Sequence, residues 1–342
     1  MLTLPQIRQE LPAVQQVAYL NTGTNGPLPL AAATAMAAVA ARELTEGSIN
    51  MAAWMALIED KQRLREDFAA LMQAPPTSVA LTHNTTEGVN LALWGLNWQA
   101  GDEIITTSLE HPGVTVPLAL LRQRFGVTVR FVEIGLGQAE RTLDALAAAF
   151  TRRTRLVALS HVSYASGAVF PLAEIVELAH RRGAWVLVDA AQSLGAIPVD
   201  VTALGVDFYA CSGQKWLCGP EGVGALYVHP ERLDDLQPTF GGYTTVLAQD
   251  HHGWIVPQPG AARYESITLY PATIAGMAAA LKWLRAEVGW EAIFRNIAAN
   301  AQILRDALAP LPGLTLLTPA GQQAGLVNFD LEGWSPQAQA GL

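Results

Sequence analysis

Between residues 78 and 228, short apolar runs alternate with stretches of helical periodicity, and few folds accommodate such an alternation. Ser78–Thr82, Glu103–Thr107, Val127–Ile134, Leu156–His161, Trp185–Val188, Phe208–Ala210 and Gly224–Val228 read as strands. Glu87–Leu96, Val114–Phe125, Thr142–Phe150 and Leu172–Arg182 read as the helices between them. Two helices precede the series, over 31–46 and 52–73; Leu57, Leu64, Phe68 and Leu71 recur at helical spacing in the second. Strand–helix alternation predicts an α/β fold with a mostly parallel, seven-stranded sheet sandwiched by helices. Several of the strands are almost wholly apolar, as strands covered on both faces must be.

The pattern changes after residue 230. An irregular stretch, 236–270, leads to helices over 271–288 and 290–309, then to strands at Leu314–Leu317 and Leu326–Leu331. These predict a smaller α+β domain, incomplete because no closing helix follows. The expected division is an arm over 1–20, a large domain over 21–250 and a small domain over 251–342.

Composition narrows the function classes. A chain of 342 residues exceeds what one core usually serves, and 51% hydrophobic against 15% charged residues excludes general disorder. A net charge of −9 predicts no nucleic-acid face. Cys211 and Cys218 offer neither a zinc spacing nor a disulfide framework, which points to a reducing, cytoplasmic setting. The first residues lack the pattern of a secretory signal, and no run approaches the ~18 apolar residues of a membrane span. No metal site is expected: His251 and His252 have no carboxylate or cysteine at ligand spacing.

Of 21 basic residues, three are lysines: Lys61, Lys215 and Lys282. Lys61 sits in the charged helix EDKQRLRED, where a surface role fits, and Lys282 can reach solvent from AAALKWLRAE. Lys215 differs, standing just past an apolar strand among glycines in SGQKWLCGPEG. Desolvation there lowers an amine's pKa and frees it for Schiff-base chemistry.

Three further segments end strands of the same expected sheet. Asp189 closes the apolar run VLVD, beyond which ligands of open parallel sheets bind. Standing alone it would be a turn or cap carboxylate. HNTTEGVN joins a strand to a helix start, where unpaired N–H groups and the helix dipole attract phosphate, although a plain capping box reads equally well. His111 lies in SLEHPG, on a tight turn from which it could stack on a planar ring. A lysine, an acid for a ring nitrogen and an anion site are together what pyridoxal 5′-phosphate (PLP) requires.

Through TTEGVN, EHPGV, DAAQSLGAIPVDV and SGQKWLCGPEGVGALYV, the chain resembles the class V aminotransferase family of fold-type I PLP enzymes. That family includes cysteine desulfurases, C–S lyases and isopenicillin-N-epimerase-like proteins. EHPGV, WGL and QKWLCGPEG are most similar to the C–S lyase branch. The resemblance implies that Lys215 bonds the cofactor and moves the substrate α-proton. Asp189 would pair with the pyridine nitrogen, Gln192 approach the ring hydroxyl and His111 stack on the ring. Thr85, Thr86, Ser212 and Gln214 would hold the phosphate. Thr268, in RYESITLYP, would reach the phosphate site of a partner subunit in a homodimer, and Asn21 and Tyr164 would face the substrate.

Three departures accompany the resemblance. Tyr164 stands where desulfurases often have asparagine. Neither cysteine corresponds to the persulfide carrier on the mobile loop of true desulfurases. The arginine that grips the substrate carboxylate should lie beyond Asn328-Phe-Asp-Leu, and the sequence given ends first. The expected activity is therefore C–S cleavage of a small amino acid such as cysteine or cystine. Transamination, epimerisation, or PLP binding with impaired turnover remain open.

Overall fold

The computed structural model describes residues 2–49, 51–266 and 268–335. Seven strands form the central sheet: β1 (Val79–Thr82), β2 (Glu103–Thr107), β3 (Thr128–Val132), β4 (Thr154–Ser160), β5 (Trp185–Asp189), β6 (Phe208–Ser212) and β7 (Gly224–Val228). Their order is β1-β7-β6-β5-β4-β2-β3. β3, β2, β4, β5 and β6 pair in parallel, and β7 runs antiparallel to both its neighbours.

Alternate residues of the strands feed two cores, one on each face of the sheet. Val157, Leu159, Val186, Val188 and Tyr209 pack with Leu64 and Phe68 of the Met51–Met72 helix, and with Ile274 and Met277 of the Pro271–Trp283 helix. Leu156, Ala158, Leu187, Phe208 and Ala210 pack on the other face with Val89 and Leu93 of the Thr85–Gly95 helix and Leu118 of the Pro112–Phe125 helix. Each fully buried Leu or Val contributes on the order of 2 kcal/mol, so the two cores dominate stability. β3, at the sheet edge, is the exception: Phe131 is 51% exposed there.

Gly88 lets the Thr85–Gly95 helix lie close against β6. A Cβ at that position would meet Ala210 Cβ at 2.8 Å. The helix begins two residues earlier than periodicity indicates, because Asn84 caps it by accepting the Glu87 N–H at 2.9 Å.

The irregular stretch contains a short hairpin, Val246–Gln249 with Ile255–Pro257, that the sequence does not announce; its strands are brief and largely exposed. The Trp290–Leu308 helix accompanies the antiparallel pair Leu314–Leu316 and Phe329–Leu331. Leu2, Ile7 and Leu11 pack on Trp283, Leu284 and Val288, which ties the N-terminal residues to the end of the Pro271–Trp283 helix. Among the described residues, no helix is long and apolar enough to cross a membrane.

Candidate active site

The carboxyl ends of β2, β4, β5 and β6 converge on a cleft of about 440 Å³. Its lining includes Thr85 and Thr86, His111 and Tyr164. Asp189, Gln192, Ser212, Gln214 and Lys215 complete the set from β5, β6 and the turns after them. A cavity elsewhere, about 320 Å³, has Asp67 and Arg285 in its wall, but these are already paired at 2.8 Å.

Asp189 is buried at the end of β5, and its Oδ1 accepts the Ala191 N–H at 2.9 Å. Burial pushes its carboxyl above the usual range, while the Ala191 N–H and the charges of Lys215 and His111 act in the opposite direction. A cation placed against this carboxyl would relieve the desolvation cost. Lys215 is half-buried; burial lowers its amine and Asp189 opposes that shift. The backbone around it is tightly fitted. Gly26 N–H donates to Gln214 O at 2.7 Å, and a Cβ on Gly26 would fall 2.2 Å from Lys215 O.

The other two lysines are not among the residues lining the cleft. Lys282 is exposed. Lys61 is not the surface lysine that its charged helix suggests: its Nζ lies 2.7 Å from the buried Glu265 carboxylate, which also takes Arg65 at 2.7 Å. A carboxylate buried this deeply requires cationic partners, and that requirement drew the lysine inward.

The anion cradle is built from the first turn of the Thr85–Gly95 helix. Thr85 Oγ1 donates to Ser212 Oγ at 3.1 Å, which joins the helix start to the end of β6. Thr86 is exposed at the same helix start. Gln214 Oε1 is buried without a hydrogen-bond partner among the described residues. Helix N–H groups suit an anion, and the Gln214 amide, an acceptor as it stands, would serve one only with its Nε2 end turned inward.

His111 caps the Pro112–Phe125 helix, with Nδ1 accepting the Gly113 N–H at 2.9 Å. The neutral ring then carries its proton on Nε2. It stands edge-on to Tyr164, ring centroids 5.0 Å apart at 84°. Gln192 is more constrained than its motif reveals: Oε1 accepts from Trp216 Nε1 and Nε2 donates to Gly23 O, both at 2.8 Å. One amide N–H remains for a ligand.

Two expected site residues lie outside this lining. Asn21 turns its Oδ1 onto the Thr24 N–H at 3.2 Å, and Thr268 is exposed with its Oγ1 2.9 Å from Tyr243 OH. Gly23, Thr24, Asn25 and Glu221 also line the cleft without having been singled out, as does the cap residue Asn84. Glu110, directly before His111, is a further omission: it is buried and bonded to Thr107 and Ser160 at the ends of β2 and β4.

The family model of class-V aminotransferases matches residues 35–342. The chain belongs to the class-V aminotransferase family. It is 30% identical over 335 residues to a probable cysteine desulfurase of Methanothermobacter thermautotrophicus, covering 96% of this chain and 82% of the relative. It is 38% identical over 282 residues to a cysteine desulfurase of Synechococcus elongatus, covering 80% of this chain but 44% of that protein. Among solved structures, a lysine-to-alanine variant of C-DES, with glycine covalently linked to its PLP cofactor, superposes with a TM-score of 0.91 at 34% identity. That match covers 98% of this chain and 88% of C-DES. The complex of the cystine C–S lyase C-DES with its product cysteine persulfide matches with a TM-score of 0.90, covering 95% of this chain and 86% of that one.

The class-V family is PLP-dependent, and the residues present fit that cofactor. A burial-lowered amine and a buried acid share the cleft, and the start of the Thr85–Gly95 helix opens on it, where its N–H groups would suit a phosphate.

Proposed function

We propose that this chain holds PLP on Lys215 and cleaves the C–S bond of a small sulfur amino acid, cysteine or cystine. One observation carries the reading: Lys215 and Asp189 share one cleft, with the phosphate cradle of Thr85, Thr86, Ser212 and Gln214 on another of its walls.

Bound PLP supplies an electron sink for the pair left when the substrate α-proton departs. The residues then have separable tasks. Asp189, kept anionic, holds a proton on the ring nitrogen. Lys215, once free of the cofactor, takes the α-proton; its burial-lowered amine is neutral in a larger fraction than an exposed lysine's. His111 would cover the ring face, its own ring held edge-on to Tyr164. Gln192 uses its remaining N–H on the ring hydroxyl. Thr268 serves the phosphate site of a partner in a homodimer; its exposure supports this role. Domain limits at residues 20 and 250 and a cytoplasmic setting complete the reading.

The state of the cysteines favours a lyase over a desulfurase that carries persulfide on the protein. Cys211 and Cys218 are both buried, and burial pushes each thiol up to about 12. A thiol with so little thiolate is a poor sulfur acceptor. The sulfur would leave as sulfide from cysteine, or as cysteine persulfide from cystine. Incubation of the PLP-loaded protein with each amino acid tests this: pyruvate with sulfide or persulfide supports cleavage, and keto-acid exchange without sulfur release refutes it.

A second reading has its own observation. No arginine is among the residues lining the cleft, so the described chain offers no bidentate grip for a substrate carboxylate. In that reading the protein binds PLP and turns substrate over poorly. Bound PLP with no turnover of any amino acid would favour it.

A further inference from the structure

Glu110 is buried where two strands end, and its carboxyl joins them. Thr107 Oγ1, on β2, donates to Glu110 Oε1 at 2.6 Å, and Ser160 Oγ, on β4, donates to Oε2 at 2.6 Å. Thr107 Oγ1 also accepts the Leu109 N–H at 3.2 Å, so the whole turn leading to His111 is tied to this carboxyl. Ser160 in turn sits opposite Asp189 in the β4–β5 register. A second buried acid thus lies close to Asp189, outside the cleft lining.

The surroundings of the two acids differ. Asp189 has the cations Lys215 and His111 acting on it, whereas Glu110 has no cation beside it: burial and the charge of Asp189 push its carboxyl up, against two hydroxyls that favour its ionised form. His161, which follows Ser160, is held neutral by burial at about 4 and brings no charge. Two carboxylates that share a buried region ionise one at a time, and the one beside cations keeps the charge. Burial raises Glu110 to about 7, in keeping with that division. Thr107 or Ser160 can rotate its hydroxyl to accept the Glu110 proton.

We propose that Glu110 is a positioning residue: it clasps the ends of β2 and β4 to hold His111 over the cleft, and of the two buried acids it ionises after Asp189. The part concerning His111 rests on the cleft being a PLP site; the proton-holding part does not.

Carbon-13 NMR of the cofactor-free protein with carboxyl-labelled glutamate reads the proton directly. One glutamate resonance should titrate near neutral pH and be missing in Glu110→Gln. If every glutamate resonance titrates in the ordinary carboxylate range, the proposal is overturned. PLP titration of variants reads the clasp. Glu110→Ala should lose about tenfold in affinity, as expected for two lost hydrogen bonds, and Glu110→Gln should restore it. Unchanged affinity in Glu110→Ala would overturn the positioning role. If Glu110→Ala does not fold, Thr107→Val and Ser160→Ala each remove one arm of the clasp, and unchanged PLP affinity in both would overturn the positioning role. A wild-type protein that fails to bind PLP would refute the cofactor reading alone.

Discussion

Trp216 Nε1 donates to Gln192 Oε1 at 2.8 Å, and this bond fixes which end of the Gln192 amide faces the cleft. The opposite end donates to Gly23 O at 2.8 Å, so a side chain after β5 is oriented by one residue after β6 and another before residue 30. The Trp216 ring is itself boxed in: a Cβ on Gly325 would lie 2.2 Å from it. Trp216→Phe removes the donor and also the outer ring atoms Cη2 and Cζ3 that meet Gly325. The variant should bind PLP about fivefold more weakly, in proportion to one hydrogen bond of ~1 kcal/mol, and its urea midpoint should fall as well. Titration of PLP absorbance against both proteins measures this.

Burial sets a trade-off at Asp189. Its folded pKa is raised above the unfolded value, so its contribution to stability is full below the unfolded pKa and is lost as pH rises through the folded one. At pH 7 the ionised carboxyl is a liability in the cofactor-free protein. Asp189→Asn should therefore raise the cofactor-free melting temperature at pH 7 and narrow the gap near pH 4. The same variant should weaken PLP binding by a hundredfold or more, about 3 kcal/mol for a charged pair. Melting curves at both pH values check the sign.

Much of this arrangement is readable in the sequence, and the reasons are physical. Six of the seven strands are recoverable because their runs are covered on both faces, the exposed edge strand β3 being the exception, and motif ends such as VLVD and CSGQK fall at carboxyl edges by topology alone. The residues that escaped depend on distant partners. Glu110 looks like a solvated carboxylate until Ser160, fifty positions on, is placed beside it. Lys61 reads as a surface residue until Glu265 is buried next to it, and Gln192 reads as unencumbered until Trp216 and Gly23 take both ends of its amide. The start of the Thr85–Gly95 helix was missed because two threonines are poor helix formers, and the Asn84 cap outweighs them.

Helix placement at the phosphate end rests on Gly88. Gly88→Ala would force its methyl to within 2.8 Å of Ala210 Cβ, and the helix must shift away from β6. Overpacking of this kind costs about 1–3 kcal/mol, and the shift also moves Thr85 from Ser212. Urea unfolding should show the loss of stability, and PLP affinity should fall with it.

The two cysteines provide a test of the sulfur's fate. If C–S cleavage needs no protein thiol, Cys218→Ser should retain turnover within about threefold, because its thiol at about 12 is already silent. Sulfide or persulfide release per pyruvate should be unchanged. Loss of sulfur release with PLP still bound would assign Cys218 a chemical role.

The central claim concerns which amine holds the cofactor, and the chain offers three. Borohydride reduction of the PLP-loaded protein, followed by peptide mass spectrometry, records the attachment permanently. The account predicts a single reduced PLP adduct, on the peptide carrying Lys215. An adduct on Lys61 or Lys282, or none on any lysine of a protein that visibly binds PLP, would contradict it.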